Sequence, residues 1–184
     1  MTWKESKDII DQMIKGSNGT LWGFKLEGSN HFPILMNLLN KSGQSGLLLD
    51  IGCGAGDVSK FWKGEYLGID LEWVINNVSK FCNPDKNFII ADLLKEKIDL
   101  PSSQCILMNA FLDVQEDPIS ILEKFCISNT RWIIVHRQRI QKIEKSNFTY
   151  VKGYGGSQVP SSIMSIDELN NLTSKYCKIG RAHV

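Results

Sequence analysis

The chain has 184 residues, of which 42% are hydrophobic and 22% are charged, and its net charge is only +1. This length fits a single folded domain, and the apolar content with almost no net charge excludes an intrinsically disordered chain. The balanced charge argues against a general nucleic-acid binder, and no apolar run approaches the roughly 20 residues that span a bilayer. The N-terminus also lacks the apolar stretch of a secretory signal. We therefore expect a cytoplasmic protein that binds neither nucleic acid nor membranes.

Cysteine and histidine residues form no pattern typical of a metal site. The cysteines lie far apart in the sequence and include no CxxC pair, which is the spacing that zinc sites use. We therefore expect reduced, mostly buried thiols and no bound metal. The residues concerned are Cys53, Cys82, Cys105, Cys126, Cys177, His31, His136 and His183.

The N-terminal segment 1–45 is predicted to be helical. Apolar residues recur there at helical spacing in two places, which indicates two amphipathic helices. Their apolar stripes comprise Ile9, Ile10, Met13, Ile14, Ile34, Leu35, Leu38 and Leu39.

From residue 46 onward, five short apolar runs alternate with helical segments. Continuous apolar runs are typical of parallel strands that are buried on both faces. The sequence therefore predicts an α/β fold with a doubly wound, mostly parallel sheet and helices on both faces. In such a fold, ligands bind outside the carboxyl ends of the strands. The predicted strands are 46–52, 66–70, 87–92, 105–111 and 131–136.

Three helices are predicted between and after these strands. Asp117 and Pro118 supply an N-cap and a first helical residue, and Ser165 with Glu168 forms a capping box. The remaining helix presents one apolar face, formed by Leu71, Val74, Ile75, Val78 and Phe81.

The stretch 140–165 is long for a connector and contains three glycines and two tyrosines. Long loops over the edge of a sheet often act as lids. We expect this stretch to cover the substrate, with Tyr154 in contact with it.

A glycine-rich segment, LLLDIGCGAGD (47–57), follows the first predicted strand. Glycines at 52, 54 and 56 lack the Cβ atoms that would keep a ligand away from the backbone. A dinucleotide fingerprint requires a further glycine at position 57, where this chain has Asp57. Its carboxylate would oppose a pyrophosphate at a helix N-terminus. An NAD(P)-dependent oxidoreductase is thus an alternative that this segment disfavours.

Acidic residues stand at the ends of the first three predicted strands. Asp50 precedes the glycines, Asp70 ends the second strand and Asp92 ends the third. An acid at the second strand end suits the hydroxyls of a ribose, and an acid at the third can accept a hydrogen bond from an exocyclic amine. Negative charge along this edge favours a cationic ligand over a phosphate.

Taken together, these motifs resemble those of class I S-adenosylmethionine-dependent methyltransferases. The matching segments are LLLDIGCGAG (47–56), YLGID (66–70), IIAD (89–92) followed by Leu93, and ILMNAFLDV (106–114), and the resemblance covers roughly residues 46–136. It implies a Rossmann-like fold, S-adenosylmethionine as cofactor, and methyl transfer to an oxygen or nitrogen of a small-molecule or saccharide-like acceptor. A domain that binds the cofactor without catalysis, or an inactive fragment, is a further alternative.

The resemblance also implies roles for individual residues. Glycines 52, 54 and 56 with Cys53 would line the methionine part of the cofactor, and Asp50 would support that loop. Asp70 would bind the ribose hydroxyls. Leu71, Asp92 and Leu93 would surround the adenine, and Asn109 would lie under the methionine end. The implied cofactor-binding residues are thus Asp50, Gly52, Cys53, Gly54, Gly56, Asp70, Leu71, Asp92, Leu93 and Asn109.

The predicted fifth strand ends in residues suited to act on an acceptor. His136 is the candidate catalytic base, because an oxygen or nitrogen nucleophile has a proton to lose. Arg137 and Arg139 follow it and could attract an anionic acceptor.

The resemblance also bears on the domain boundaries. We expect an N-terminal helical segment (1–45), a methyltransferase domain (46–177) and a non-native tail (178–184), because the last seven residues resemble a translated sequencing adapter. Methyltransferases of this class usually end their sheet with an antiparallel pair of strands. That pair is expected to be missing here.

Overall fold

The main sheet of the protein contains all five predicted strands. The computed structural model describes residues 30–96, 98–152 and 158–176. The strands are β1 (Leu47–Ile51), β2 (Glu65–Asp70), β3 (Asn87–Ile90), β4 (Ser103–Asn109) and β5 (Thr130–His136). They pair in parallel in the order β3-β2-β1-β4-β5, which confirms the predicted doubly wound α/β sheet.

Within the described residues, four longer helical segments and two short 3₁₀ helices, Asp57–Lys60 and Leu112–Val114, accompany the strands. The longer segments are α1 (Phe32–Lys41), α2 (Glu72–Val74, Ile75–Ser79 and Lys80–Cys82 in succession), α3 (Pro118–Cys126) and α4 (Ile166–Tyr176). The predicted cap of α3 is confirmed, since the Asp117 carboxylate accepts a hydrogen bond from the Ser120 N–H at 3.0 Å. The capping box of α4 forms only in part. The Glu168 carboxylate accepts from the Ser146 N–H at 2.7 Å and not from the N–H of Ser165, as a capping box requires. None of the helices in this part of the chain combines the length and apolarity needed to span a bilayer.

Apolar residues cover both faces of the main sheet, as the continuous apolar strands predict. On one face, Leu35 and Leu39 of α1 pack against Leu48 and Leu107 of the central strands. On the other face, α3 and α4 pack over the neighbouring residues of the same strands. That second cluster includes Leu49, Ile106, Met108, Ile121, Phe125 and Leu172. Successive strand residues point to opposite faces, so each strand contributes to both clusters.

Helix α2 contains a π turn that changes which residues it buries. Val74, Ile75 and Val78 are buried as predicted, but Phe81 is 65% exposed, so its predicted place on the buried face is wrong. The cause is the π turn at Ile75–Ser79, which holds one more residue than a regular turn and rotates the residues after it. Ser79 is fully buried instead.

A second, three-stranded sheet occupies most of the stretch that was predicted to be a lid loop. Its strands are β6 (Arg139–Gln141), β7 (Asn147–Lys152) and β8 (Gln158–Ser165), in the order β6-β8-β7. The prediction of a long loop is therefore wrong for these residues. It failed because every residue of β7 is exposed, so the strand has no buried side for the sequence to reveal. Tyr154, the predicted helix lined by Ile9, and the tail 178–184 lie outside the described residues.

Candidate functional site

The strand order of the main sheet reverses at its carboxyl edge between β1 and β4, and this place is called the crevice below. The chain leaves β1 towards β2 on one side and returns to β4 on the other, which is the point where ligands bind in doubly wound sheets. Gly52 follows β1 with a φ of 68°, and a Cβ placed on it would come within 2.4 Å of the Phe111 ring. Only glycine therefore fits this close approach between the two halves of the crevice.

Backbone groups of the glycine loop (residues 52–56) are tied to the end of β2. The N–H groups of Gly52 and Cys53 donate to the Ile69 carbonyl at 2.9 and 3.2 Å. The Gly54 N–H donates to one carboxylate oxygen of Asp70 at 2.9 Å. The other Asp70 oxygen accepts from the Leu71 N–H at 2.8 Å. Asp70 thus joins the loop to the start of α2, in the place where a ribose is expected.

Side chains from α2 and from Asn83, which follows it, hold the same loop by donating to two of the loop's carbonyl groups. The Ser79 hydroxyl donates to the Gly54 carbonyl at 2.6 Å, and the Asn83 side-chain amide donates to the Ala55 carbonyl at 2.7 Å. The π turn brings Ser79 to this position. Hydrogen bonds from the protein itself therefore fix the loop on both sides.

Asp50 lies beneath the loop and does not face the crevice. Its side chain is 2% exposed and accepts a hydrogen bond from the Tyr66 hydroxyl at 2.8 Å. Burial raises the pKa of Asp50 from 3.8 to about 7; the bond from Tyr66 opposes this shift, and the charges of Asp70 and Asp57 add to it. Asp50 is therefore only partly ionised at neutral pH, and the negative charges that act on it belong to Asp70 and Asp57.

The Cys53 thiol belongs to the same buried group. Burial, followed by the charges of Asp50 and Asp70, raises its pKa well above the ordinary value. The thiol is therefore protonated and unreactive at neutral pH.

Asp92 and Leu93 follow the end of β3, next to Asp70. Ile90 pairs with Asp70 across the two strands, and the Ala91 N–H donates to the Asp70 carbonyl at 2.9 Å. The Asp92 carboxylate accepts from the Leu94 N–H at 3.1 Å and pairs with Lys95. Leu93 packs against the core of the sheet. The edge of the crevice therefore carries a second carboxylate beyond Asp70.

Asn109 and His136 meet on the other side of the crevice, where β4 and β5 end. Their positions pair across the two strands, and the Asn109 Oδ1 lies 2.9 Å from the His136 Nδ1. This contact places the imidazole proton on Nδ1 and leaves a lone pair on Nε2. The His31 ring packs edge-on against His136 with the centroids 5.8 Å apart.

His136 is a neutral imidazole at physiological pH. Burial, then the charges of His31 and Arg137, lower the pKa of His136 to about 4. Its buried Nε2 has no hydrogen-bond partner within the described ranges. An unpaired buried group of this kind costs the fold about 1–3 kcal/mol.

Arg137 and Arg139 project from the end of β5 and from β6. Both side chains are exposed, and Arg137 has a left-handed backbone with a φ of 64°. Arg139 donates to the Ser161 hydroxyl on the second sheet. Residues 30–96, 98–152 and 158–176 contain no group of three or more His, Cys, Asp or Glu side chains that could hold a metal ion.

Solved structures of similar shape share this architecture. An S-adenosylmethionine-dependent methyltransferase from Mesorhizobium loti matches with a TM-score of 0.62 at 17% identity, over 86% of this chain and 84% of that one. The chain has the fold of S-adenosylmethionine-dependent methyltransferases. No family model matches it, and neither does any curated protein.

Two further structures with the methyltransferase fold were determined with ligands bound. One is a Burkholderia thailandensis 1,6-didemethyltoxoflavin-N1-methyltransferase with bound 1,6-didemethyltoxoflavin and S-adenosylhomocysteine, with a TM-score of 0.56 at 15% identity over 92% of this chain and 74% of that one. The other is an amino pentose methyltransferase from Micromonospora echinaspora with S-adenosylmethionine, with a TM-score of 0.56 at 8% identity over 78% and 80%. These similarities concern the fold, since the sequences differ almost everywhere.

Several residues that build this methyltransferase-like crevice were not identified from the sequence. Ser79 and Asn83 hold the loop, His31 packs on His136, and Phe111 faces Gly52. None of the four was marked by a signal in the sequence. Their positions depend on strand register, on how α1 packs and on a π turn, none of which the sequence shows.

Proposed function

We propose that the protein is an S-adenosylmethionine-dependent methyltransferase that acts on an oxygen or nitrogen of a small-molecule or saccharide-like acceptor. The observation that carries this proposal is the glycine loop tied to the Asp70 carboxylate at the end of β2, to which the Gly54 N–H donates at 2.9 Å. A sulfonium cofactor with an ammonium group is attracted to such a site, whereas a pyrophosphate is repelled.

The residues after the glycine loop also argue against a dinucleotide. Asp57 begins a short 3₁₀ helix, Asp57–Lys60, and its carboxylate pairs with Lys60 at 2.6 Å. A pyrophosphate site needs a helix N-terminus with free N–H groups and no nearby carboxylate. The oxidoreductase alternative therefore has no support from this part of the chain.

Each side of the crevice has a proposed task. Asp70 accepts hydrogen bonds from the ribose hydroxyls, because each carboxylate oxygen has a second lone pair beyond its backbone contact. Asp92 accepts from the adenine amine, with Leu71 and Leu93 beside the ring. The glycine loop and Asn109 take the methionine end. The bound cofactor supplies an electrophilic methyl group on its sulfonium sulfur.

His136 is proposed to receive the proton of the acceptor. If S-adenosylmethionine binds in the crevice, its methyl group would pass to the acceptor oxygen or nitrogen, and the His136 Nε2 would take up the proton that this atom loses. An atom that is being methylated becomes strongly acidic, so even a weak base suffices for this step. The hydrogen bond from Nδ1 to Asn109 keeps the Nε2 lone pair available.

A small-molecule acceptor is supported by the similar solved structures, which include an amino pentose methyltransferase. Arg137 is proposed to attract an anionic part of the acceptor. Arg139 and Tyr154, which follow it in the sequence, are proposed to contact the acceptor as well.

Isothermal titration calorimetry with S-adenosylmethionine, S-adenosylhomocysteine and NADH tests the cofactor. We expect both sulfur compounds to bind and NADH not to bind. Replacement Asp70→Ala should weaken S-adenosylhomocysteine binding about tenfold or more, because hydrogen bonds to a charged group contribute about 1.5–3 kcal/mol. The exposed Asp85→Asn variant is the control and should bind as the wild type does. Binding of NADH alone would contradict the proposal.

In the same experiment, His136→Ala separates catalysis from cofactor binding. We expect unchanged affinity for S-adenosylhomocysteine and reduced turnover on any acceptor that the protein methylates. Unchanged turnover would exclude His136 as the proton acceptor. Cofactor binding without turnover across a broad acceptor panel would favour the non-catalytic alternative.

A further inference from the structure

The first turn of α1 lies against the end of β5. Leu35 of α1 and Ile134 of β5 are buried in the same apolar cluster. Four residues before Leu35 and two residues after Ile134, the rings of His31 and His136 meet edge-on with their centroids 5.8 Å apart. Four residues of a helix and two residues of a strand both cover roughly 6 Å. One alignment of helix and strand therefore accounts for both contacts.

The start of α1 is fixed by contacts that do not involve the His31 ring. The Phe32 ring packs on the Phe61 ring with the centroids 4.9 Å apart, and the His31 carbonyl accepts a hydrogen bond from the Leu35 N–H at 3.0 Å. His31 stands at the N-cap position of α1, yet its side chain makes no capping hydrogen bond to the described helix. The backbone of His31 is therefore held in place while its ring packs on His136.

The His136 ring is held by residues from two other elements. The Asn109 Oδ1 of β4 lies 2.9 Å from the His136 Nδ1, and the His31 ring of α1 packs against the same imidazole. His136 is 7% exposed, whereas His31 is exposed. A buried ring in contact with an exposed one is covered by it, so His31 separates His136 from solvent on that side. Arg137, the next residue, supplies the other charge that acts on His136.

We propose that His31 is a positioning residue for His136: its ring shields the imidazole from water and, together with Asn109, holds it in the tautomer that leaves Nε2 as the proton acceptor. The inference rests on the proposed function, in which His136 receives the acceptor proton. The tautomer of a histidine is set by the hydrogen bond that its other nitrogen makes, and a fixed ring presents that atom without a further change of conformation. Burial is the largest cause of the lowered pKa of His136, so water that enters beside the ring would raise this pKa.

NMR of the imidazole nitrogens on the full chain tests the proposal without a cofactor or an acceptor. The chain has three histidines, so single replacements assign their signals. We expect wild-type His136 to be neutral, with its proton on Nδ1, between about pH 5 and about pH 8. In His31→Ala the pKa of His136 should rise from about 4 towards its ordinary value of 6.5, and the tautomer with the proton on Nε2 should appear.

His31→Phe is the matched variant, because a phenyl ring replaces the imidazole without its charge. It should keep His136 neutral with the proton on Nδ1. Both variants lack the His31 charge, so the difference between them reports the shielding alone. The control is Asn37→Ala, which lies exposed on the same helix and should leave the His136 signals unchanged.

Three NMR results would overturn the inference: unchanged His136 signals in His31→Ala, the same change in His31→Phe, or wild-type His136 with its proton on Nε2. His31→Gln, which also lacks a ring, replaces His31→Ala if that variant fails to fold, and should show the same rise in the pKa of His136. The affinity for S-adenosylhomocysteine should stay within about twofold of the wild type. Its loss would assign His31 to the cofactor site and overturn the positioning role as well.

Turnover separates this inference from the proposed function. On an acceptor that the protein methylates, His31→Ala should lower turnover and His31→Phe should restore it. Full turnover of His31→Ala would overturn the positioning role. Failure of the wild type to bind S-adenosylhomocysteine, or full turnover of His136→Ala, would instead contradict the proposed function, while the NMR result still decides whether His31 holds His136.

Discussion

Asp50 couples the stability of the folded protein to pH. Its carboxyl group has a pKa of about 7 in the fold, raised mainly by burial, and an ordinary value of 3.8 when exposed. Between about pH 4 and about pH 7 the folded protein therefore binds more protons than the unfolded chain does. The stability that Asp50 contributes is full below about pH 4 and is lost as the pH rises towards 7.

Replacement Asp50→Asn should remove this dependence. The amide oxygen can still accept from the Tyr66 hydroxyl, but the side chain no longer ionises. We expect the free energy of unfolding of the variant, relative to the wild type, to increase between about pH 4 and about pH 8, by an amount on the order of a few kcal/mol. Urea denaturation across this pH range measures it.

Subtracting the wild-type curve cancels other titrating groups such as His136, whose lowered pKa gives the opposite slope below about pH 6.5. The control is the exposed Asp85→Asn variant, whose stability should run parallel to that of the wild type. A flat difference curve for Asp50→Asn would show that Asp50 ionises in the fold as it does in the unfolded chain.

Helix α2 acts as a clamp on the glycine loop, and its π turn is what makes this possible. Without the extra residue in Ile75–Ser79, Phe81 would face the core as the sequence predicts and Ser79 would not. With the turn, the Phe81 ring is exposed and does not reach the core. Ser79 and Asn83 instead donate hydrogen bonds to the carbonyls of Gly54 and Ala55. π turns often occur at functional sites, and this one fixes the loop that we propose to bind the cofactor.

Replacement Asn83→Ala should loosen that loop. Asn83 is 4% exposed, so its removal leaves the Ala55 carbonyl without this buried partner. We expect a loss of about 1–3 kcal/mol in the free energy of unfolding and weaker binding of S-adenosylhomocysteine. The matched control is Asn77→Ala, because Asn77 is exposed and donates only within α2 to the Trp73 carbonyl. Equal effects of the two replacements would contradict the role of α2 as a clamp.

The sequence predicts the elements of the main sheet well and those of the second sheet poorly, and burial explains the difference. Strands such as β1 and β4 have both faces covered, which requires continuous apolar runs that are easy to recognise. Strand β7 has no buried residue, and three glycines nearby favour a loop. Its pairing with β8 depends on backbone hydrogen bonds, which leave little trace in the amino-acid sequence.

The residues of the candidate site also differ in how well the sequence predicts them. Asp70 and the glycine loop were predicted because they lie on consecutive strand ends at a recognisable spacing. The contact between Asn109 and His136 joins residues 27 positions apart and depends on the register of β4 and β5. Register and sheet packing are properties of the whole molecule, so no local pattern contains them.

The two sheets of the molecule share one apolar core. Met164 of β8 belongs to the second sheet, yet it is fully buried in the cluster that also contains Leu49, Ile106 and Phe125 of the main layer. The Ser162 hydroxyl adds a buried hydrogen bond to the Leu112 carbonyl. We therefore expect both sheets to unfold in a single cooperative transition.

Replacement Met164→Ala tests this, because it removes core volume from the second sheet only. We expect a loss of about 2–5 kcal/mol in the free energy of unfolding, felt equally by both sheets. Tryptophan fluorescence reports on the main layer through Trp62, Trp73 and Trp132, and hydrogen exchange of the β8 amides reports on the second sheet. The two probes should give the same midpoint in urea.

The control is Val151→Ala on β7, which is 44% exposed and should change stability by no more than about 0.5 kcal/mol. Loss of protection in β8 at a urea concentration that leaves the fluorescence unchanged would mean that the second sheet unfolds on its own.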